Sequence, residues 1–219
     1  MKPISLPSPD EVHLWILEHG EGNFEILSEQ ERTRMEYYQQ EKDQLRYLFT
    51  QSSKREILGE YLKRPPQEII FKENEHGKPS AEGLEFSISH TEGISLLAVS
   101  AQSPIGIDVE RIKPLQDLNE LVHRISSKAE KTSFKTLGNE QQLEKFYHLW
   151  TAKEAYLKSL GIGFEIEPET IESNFPKLSS VQAEELPNLK LLEVAFDSHF
   201  VAYLATKKED QKITLISKY

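Results

Sequence analysis

Cysteine is absent from the 219 residues, and with it go disulfides, thiolate catalysis and cysteine-based zinc sites. That absence fits a reducing compartment, and the expected location is the cytoplasm. No apolar run approaches the length of a membrane span. The opening Met1-Lys2-Pro3-Ile4-Ser5-Leu6-Pro7 lacks an apolar core and is broken by proline, so it does not read as a signal peptide. Basic charge is also scarce. The 26 Lys and Arg stand against 36 Asp and Glu, a formal net charge of −10. Such a chain is a poor general binder of nucleic acid or anionic membrane, and neither is expected as a partner. An anionic ligand would have to be met by a local basic pocket or by a metal ion.

What is present suffices for a folded globule. Hydrophobic residues make up 37%, with eight Tyr, ten Phe and two Trp. The length suits one large domain or two small packed ones. Residues 12–17 read as an opening strand. Ser28, with Glu31 three residues on, has the spacing of a helix N-terminal capping box. A helical, polar-rich pattern runs from there to about residue 63, with breaks expected near 39–42 and at Gly59, and Pro65-Pro66 stops it. Residues 69–71 form a short strand and 74–79 a turn. Residues 84–89 and 94–100 pair around Thr91-Glu92-Gly93. After a strand at 105–110, residues 118–160 are mostly helical, interrupted near Gly138-Asn139 and ended by Gly161 and Gly163. Residues 189–196 and 200–205 make a second hairpin around Asp197-Ser198-His199, and 214–216 a last strand. The order strand, helices, strand, hairpin thus occurs twice. An internal duplication dividing near Ser103-Pro104 and a single α+β domain without symmetry both satisfy this order.

Three segments can carry chemistry. In Ile105-Gly106-Ile107-Asp108-Val109-Glu110, strand alternation sends Ile105, Ile107 and Val109 one way and Gly106, Asp108 and Glu110 the other. Two carboxylates side by side repel unless solvent or a cation relieves them, and a hard ion such as Mg²⁺ suits such oxygens. Taken alone, the same pattern describes an ordinary solvated strand edge. The helix at 146–160 turns about 100° per residue. That places Phe146, Leu149, Trp150, Leu157 and Leu160 on one apolar arc, Glu154 at its edge and Lys158 one turn further on. Lys153 falls inside the arc. Glu154 and Lys158 read either as a surface ion pair or as groups facing a charged ligand. Finally, Ser89 and His90 close a strand at a turn where phosphate could be met, and Lys78 sits in a turn from which it could reach an anion. Arg32, Arg34 and Arg46 lie on the polar early helices.

The blocks Gly77-Lys78-Pro79, Phe86-Ser87-Ile88-Ser89-His90, Pro104-Ile105-Gly106-Ile107-Asp108-Val109-Glu110 and Trp150-Thr151-Ala152-Lys153-Glu154-Ala155-Tyr156-Leu157-Lys158 resemble, in order and spacing, those of the Sfp-type 4′-phosphopantetheinyl transferases. The resemblance covers residues 28–163 well and the C-terminal hairpin loosely. It implies an α+β fold of two similar α/β halves, 1–103 and 104–219, related by a pseudo-twofold axis, in a monomer with the active site in the cleft between them. It implies Asp108, Glu110 and Glu154 as ligands of Mg²⁺. Lys158 and His90, with Ser89 beside them, would contact the phosphates of coenzyme A, the expected substrate. Gly77, Lys78 and Pro79 would line the nucleotide end, Arg46 would meet a nucleotide phosphate, and Arg34 and Arg32 would align with other basic positions. Glu130 would be an acid near the reacting phosphate. Glu31 departs from the pattern, since relatives often carry Lys there, and this alters the expected 3′-phosphate contacts.

The implied reaction transfers phosphopantetheine from coenzyme A to a serine of an acyl or peptidyl carrier protein and releases adenosine 3′,5′-bisphosphate. Glu154, Glu130 or a metal-bound water would take the serine proton, with Lys158 assisting. Residues 118–134 are the expected carrier-binding surface. Two other readings use the same residues: a Mg²⁺-dependent phosphohydrolase, and a non-catalytic module binding coenzyme A or a carrier. The second would predict loss of a metal acid, yet all three are present.

Overall fold

In a computed structural model, the chain is described over residues 4–101, 103–163, 165–175, 177–184, 186–208 and 210–217, with only the backbone at 139 and 140. The segment Met1-Lys2-Pro3 lies outside these residues. The fold is mixed α+β. Strand β1 (Glu11–Glu18) is followed by helices α1 (Glu29–Glu36) and α2 (Glu41–Leu62). The short strands β2 (Lys72–Glu73) and β3 (Pro79–Ser80) form a ribbon. Then come β4 (Glu85–Thr91), β5 (Ile94–Ser100) and β6 (Ile105–Arg111). Helices α3 (Leu118–Ile125), α4 (Lys128–Phe134) and α5 (Asn139–Leu160) precede β7 (Glu172–Ser173), β8 (Ser180–Gln182), β9 (Leu189–Glu193), β10 (Phe200–Thr206) and β11 (Lys212–Ser217).

Two sheets carry the fold, ordered β11-β1-β5-β4 and β6-β10-β9-β8-β7. Their inner faces share a core that includes Val12, Leu14, Leu96, Ala98, Ile105, Ile107, Val109, Ala202 and Leu204. The outer face of the first sheet takes α2 through Phe49, Ile57 and Leu58 against Trp15, Phe86 and Leu97. The outer face of the second takes α5 through Leu149, Ala155 and Tyr156 against Val201 and Tyr203. The layers therefore run helix, sheet, sheet, helix, each sheet burying both faces. β4 and β6, the neighbouring sheet edges, run side by side. The hydroxyls of Ser87, Ser89 and Thr91 accept from the backbone N–H of Ile107, Val109 and Arg111. Every second side chain of β4 thus replaces a backbone ladder.

The element plan repeats down to side chains. Ser28 and Glu31 form a capping box on α1, and Ser127 and Glu130 form one on α4. Each boxed glutamate accepts from a lysine 23 residues later on the following long helix: Lys54 on Glu31 and Lys153 on Glu130. Both long helices have 22 residues and end in a left-handed residue, Lys63 and Gly161. The last strand departs from this plan, because β11 returns to pair in parallel with β1.

Several local expectations are corrected. The expected break near 39–42 separates α1 from α2, but α2 runs unbroken through Gly59. There a Cβ would lie 2.8 Å from the Arg64 carbonyl, so the glycine admits a close backbone return. Residues 69–71 are not a strand. The carbonyls of Pro66 and Ile69 accept from the Arg55 guanidinium, and pairing starts only at Lys72. The helical stretch 118–160 has a further break at Ser126-Ser127, where the second capping box starts a new helix.

Candidate active site

The segments that carry the candidate chemistry meet where α5 lies on β6. Gly106 makes the meeting close. A Cβ there would fall 2.0 Å from the Ala155 carbonyl oxygen and 2.3 Å from the Ser159 nitrogen, so backbone packs on backbone. As alternation requires, Gly106, Asp108 and Glu110 share the face opposite Ile105, Ile107 and Val109, and Glu154 and Lys158 project from the adjacent turns of α5.

Asp108 is 4% exposed. Its Oδ1 accepts from Lys158 Nζ at 2.6 Å and from Ser89 Oγ at 2.7 Å. Lys158 also donates to Ser89 at 2.9 Å. Among the described residues, Asp108 Oδ2 and Glu154 Oε1 are buried without a hydrogen-bond partner. Burial, and then the charges of Asp108 and Glu110, push the Glu154 carboxyl up to about 7 against the pull of Lys158. Glu110 is raised by burial and then by Asp108, and the Trp150 indole, which donates to its Oε1 at 3.3 Å, pulls it back.

Two orphaned carboxylate oxygens in a crowd of acids are the donor chemistry of a hard divalent cation. The residues fit such an ion. As they stand, however, no three acidic or histidine side chains among the described residues are gathered tightly enough to hold one. The Lys158 ammonium is the charge that balances Asp108.

Beside the acids lies a basic group. His90, at the end of β4, is neighboured by Arg46, Lys158 and His19. Part of its surface reaches solvent, yet crowding by surrounding atoms disfavours the charged ring first. The charges of Arg46 and Lys158, and then His19, add to this, and the ring is pushed down to about 4. An anion placed here would relieve that repulsion. Arg46 is paired at 2.8 Å with Asp43 one turn earlier on α2. A cavity of about 230 Å³, whose lining includes Gly77, Lys78, Pro79, Glu154, Leu157 and Lys158, meets this group at Lys158.

The structure thus brings together Ser89, His90, Asp108, Glu110, Glu154 and Lys158, with Arg46 beside them and Gly77, Lys78 and Pro79 in the cavity lining. Other expected residues stand elsewhere. Glu130 is 1% exposed and both its oxygens are taken. Oε2 accepts from Lys153 at 2.6 Å and from the Ser127 N–H, and Oε1 from the N–H and hydroxyl of Ser173. Lys153, fully buried, also donates to the carbonyls of Ile125 and Pro168. This lysine, which falls inside the apolar arc of the helix, is half of an interior ion pair. Glu31 likewise holds Lys54 and Arg55 in the first half. Arg34 is exposed on α1 near Tyr47 and Lys54. Arg32 lies over the Phe24 ring and donates to the Glu25 carbonyl. Lys78 gives its ammonium to two backbone carbonyls, those of Ser159 and Ile105.

The site also contains residues that pattern reading does not single out. His19 neighbours His90, and its Nε2 lies 3.0 Å from Ser95 Oγ. Trp150 reads as a core residue by periodicity, whereas its N–H holds Glu110. Neither had a signal in local spacing, because each works through a partner far away in the chain.

Acids with orphaned oxygens, cations beside a histidine and an adjoining cavity are the kinds of group that a phosphate-bearing ligand requires. Comparison with known proteins makes the class specific. The profile of the 4′-phosphopantetheinyl transferase superfamily matches residues 104–215, and that of the 4′-phosphopantetheinyl transferase N-terminal region matches residues 18–102. The chain is 32% identical over 208 residues to 4′-phosphopantetheinyl transferase HetI of Nostoc sp., covering 90% of this chain and 87% of that protein. It is 28% identical to 4′-phosphopantetheinyl transferase Sfp of Bacillus subtilis, covering 88% and 82% of the two chains. To 4′-phosphopantetheinyl transferase AcpT of Salmonella typhimurium it is 31% identical, covering 58% and 66%. The chain belongs to the 4′-phosphopantetheinyl transferase superfamily.

Proposed function

We propose that this protein transfers the 4′-phosphopantetheine arm of coenzyme A to a serine hydroxyl of an acyl or peptidyl carrier protein, releasing adenosine 3′,5′-bisphosphate. The observation that carries the reading is the meeting of two buried carboxylate oxygens without a partner among the described residues, Asp108 Oδ2 and Glu154 Oε1, with a basic group around His90 that reaches the cavity at Lys158. Asp108, Glu110 and Glu154 would hold Mg²⁺, which supplies charge neutralisation for a pyrophosphate. Lys158 and His90, with Ser89, bind phosphate oxygens by charge-assisted hydrogen bonds, and Arg46 meets a nucleotide phosphate. Arg34 has no place beside this group. Gly77, Pro79 and the Lys78 stem form the nucleotide wall.

In the transfer, the serine oxygen attacks the pantetheine-side phosphorus. The bond from that phosphorus to the bridging oxygen breaks, and its electrons leave with the adenosine bisphosphate. The serine proton needs an acceptor. Glu154, which lines the cavity and whose Oε1 has no hydrogen-bond partner among the described residues, is the acceptor in this reading. Glu130, with both oxygens engaged, is not.

The halves 1–103 and 104–219 would be related by a pseudo-twofold axis within a monomer, with β11 returned to the first half, and the compartment would be the cytoplasm. Among the described residues no helix is long and apolar enough to cross a membrane. The carrier would dock on α3 and α4, where His123, Arg124 and Lys128 are exposed.

The test is to incubate protein, Mg²⁺, coenzyme A and apo carrier, then weigh the carrier. A phosphopantetheine mass gain that Glu110→Ala loses is the expected result. A folded protein that modifies no carrier tested sinks the reading. Coenzyme A cleavage without any carrier would point to a phosphohydrolase.

A further inference from the structure

The turn at residues 74–78 does more than line the cavity. Asn74 Oδ1 accepts from the backbone N–H of His76 and Lys78, at 3.0 and 2.8 Å, and so shapes the turn. Its Nδ2 then donates to the Gly161 carbonyl at 2.7 Å. Lys78 Nζ donates to the Ser159 carbonyl at 2.9 Å and to the Ile105 carbonyl at 3.2 Å. His76 Nδ1 lies 2.9 Å from Glu165 Oε1.

These contacts converge on the C-terminal end of α5. The last carbonyls of a helix have no partner within it, and the negative end of its dipole favours a cation. Lys78 supplies both the donor and the charge, from a distant part of the chain. Ile105 is the first residue of β6, so one ammonium ties the end of α5 to the start of β6. Those two elements carry all three candidate metal acids and Lys158. Gly161 shows how tight the joint is. Its φ of +68° is the left-handed cap, and a Cβ there would meet Lys78 Cδ at 2.6 Å and Asn74 Nδ2 at 3.0 Å. Half-burial lowers the affinity of the Lys78 amine for its proton, so the bonds to the Ser159 and Ile105 carbonyls must offset that desolvation to hold the group at the helix end.

We propose that Lys78 is a positioning residue: through the Ser159 and Ile105 carbonyls, and with Asn74 on Gly161, it clamps α5 to β6 and so sets the spacing between the nucleotide wall and the acids, without itself binding phosphate. This rests on the cavity being a coenzyme A site. A direct phosphate ligand and a clamp predict different losses. Removing a phosphate ligand weakens only ligands that carry that phosphate and flattens the salt dependence of binding. Removing a clamp weakens every ligand of the cavity alike.

The experiment compares Lys78→Met, which keeps the stem, with Lys78→Arg and, as a second neutral variant, Lys78→Gln. Binding of coenzyme A and of 3′-dephospho-coenzyme A is measured by calorimetry at two salt concentrations, and amide exchange over residues 159–162 is measured in ligand-free protein. The clamp predicts faster exchange in the neutral variants. It also predicts an equal weakening of both ligands, roughly tenfold for lost hydrogen bonds from a charged donor, an unchanged salt slope, and recovery in Lys78→Arg. A loss confined to one ligand, wild-type affinity, or unchanged exchange would overturn it. If the wild-type protein binds neither ligand, the coenzyme A reading fails instead, and the exchange data still decide whether Lys78 holds α5.

Discussion

Lys158 donates to Asp108 Oδ1 at 2.6 Å while the other oxygen of that carboxylate is buried without a partner among the described residues. The lysine therefore balances half of the carboxylate and leaves the other half unbonded. Lys158→Met removes the nearest cation from three acids. The variant should melt lower than wild type in chelator, and Mg²⁺ should raise its melting temperature by more, because relief of repulsion is then left to the ion. Transfer should fall on the order of 100-fold through loss of a charged donor to the phosphates. Thermal scans with and without Mg²⁺, beside the carrier mass assay, test both.

Glu154 gives a pH dependence of definite sign. Its folded-state pKa of about 7 lies above the ordinary 4.5, so the folded protein holds a proton that the unfolded chain has released. This contribution to stability is fully present below about 4.5 and is lost as pH rises through about 7. In chelator, Glu154→Gln should flatten the fall in denaturation midpoint across that window. A variant that keeps the wild-type slope would remove Glu154 as its source.

Gly106→Ala should damage fold and site together. The new methyl would sit 2.0 Å from the Ala155 carbonyl oxygen, against backbone that cannot rotate away. The expected cost is about 1–3 kcal/mol or more for an overpacked contact. α5 would also be displaced from β6, so transfer per folded molecule should drop. Guanidinium titration and the mass assay read the two effects.

Lys153→Met would leave Glu130 charged and buried, which costs about 3–5 kcal/mol when one partner of such a pair is removed. Glu130→Gln keeps an oxygen for Ser173 and should lower stability while retaining kcat per folded molecule. A loss of 10²-fold or more in folded Glu130→Gln protein would return this residue to the proton transfer.

Removing exposed charge from α3 and α4 with Arg124→Ala and Lys128→Ala should raise the KM for the carrier and leave the KM for coenzyme A in place. Equal carrier KM values for variant and wild type would end that surface assignment.

The motifs were legible in the sequence because their physics is local. Period-two alternation put Asp108 and Glu110 on one face of β6, and helical spacing put Glu154 and Lys158 on one side of α5. The Ser28–Glu31 box needs only four consecutive residues to form. The repeated order of elements was also readable, since turn residues and apolar periods mark each element without reference to its neighbours.

What local pattern left open depends on contacts between residues far apart in the chain. Glu130 has the same local spacing whether it faces a phosphate or Lys153, and only the packing of α4 on α5 selects the ion pair. Lys78 has the same turn whether it reaches an anion or the end of α5, and the backbone space opened by Gly161 selects the helix end. The sequence by itself determined which acids and cations this protein carries and which faces they share. The tertiary structure decided which of them are already satisfied, because a buried charge or hydrogen-bonding group takes the nearest partner that the fold presents. Among the described residues Asp108 and Glu154 each retain an unpartnered oxygen, while Glu130 and Lys78 are already held.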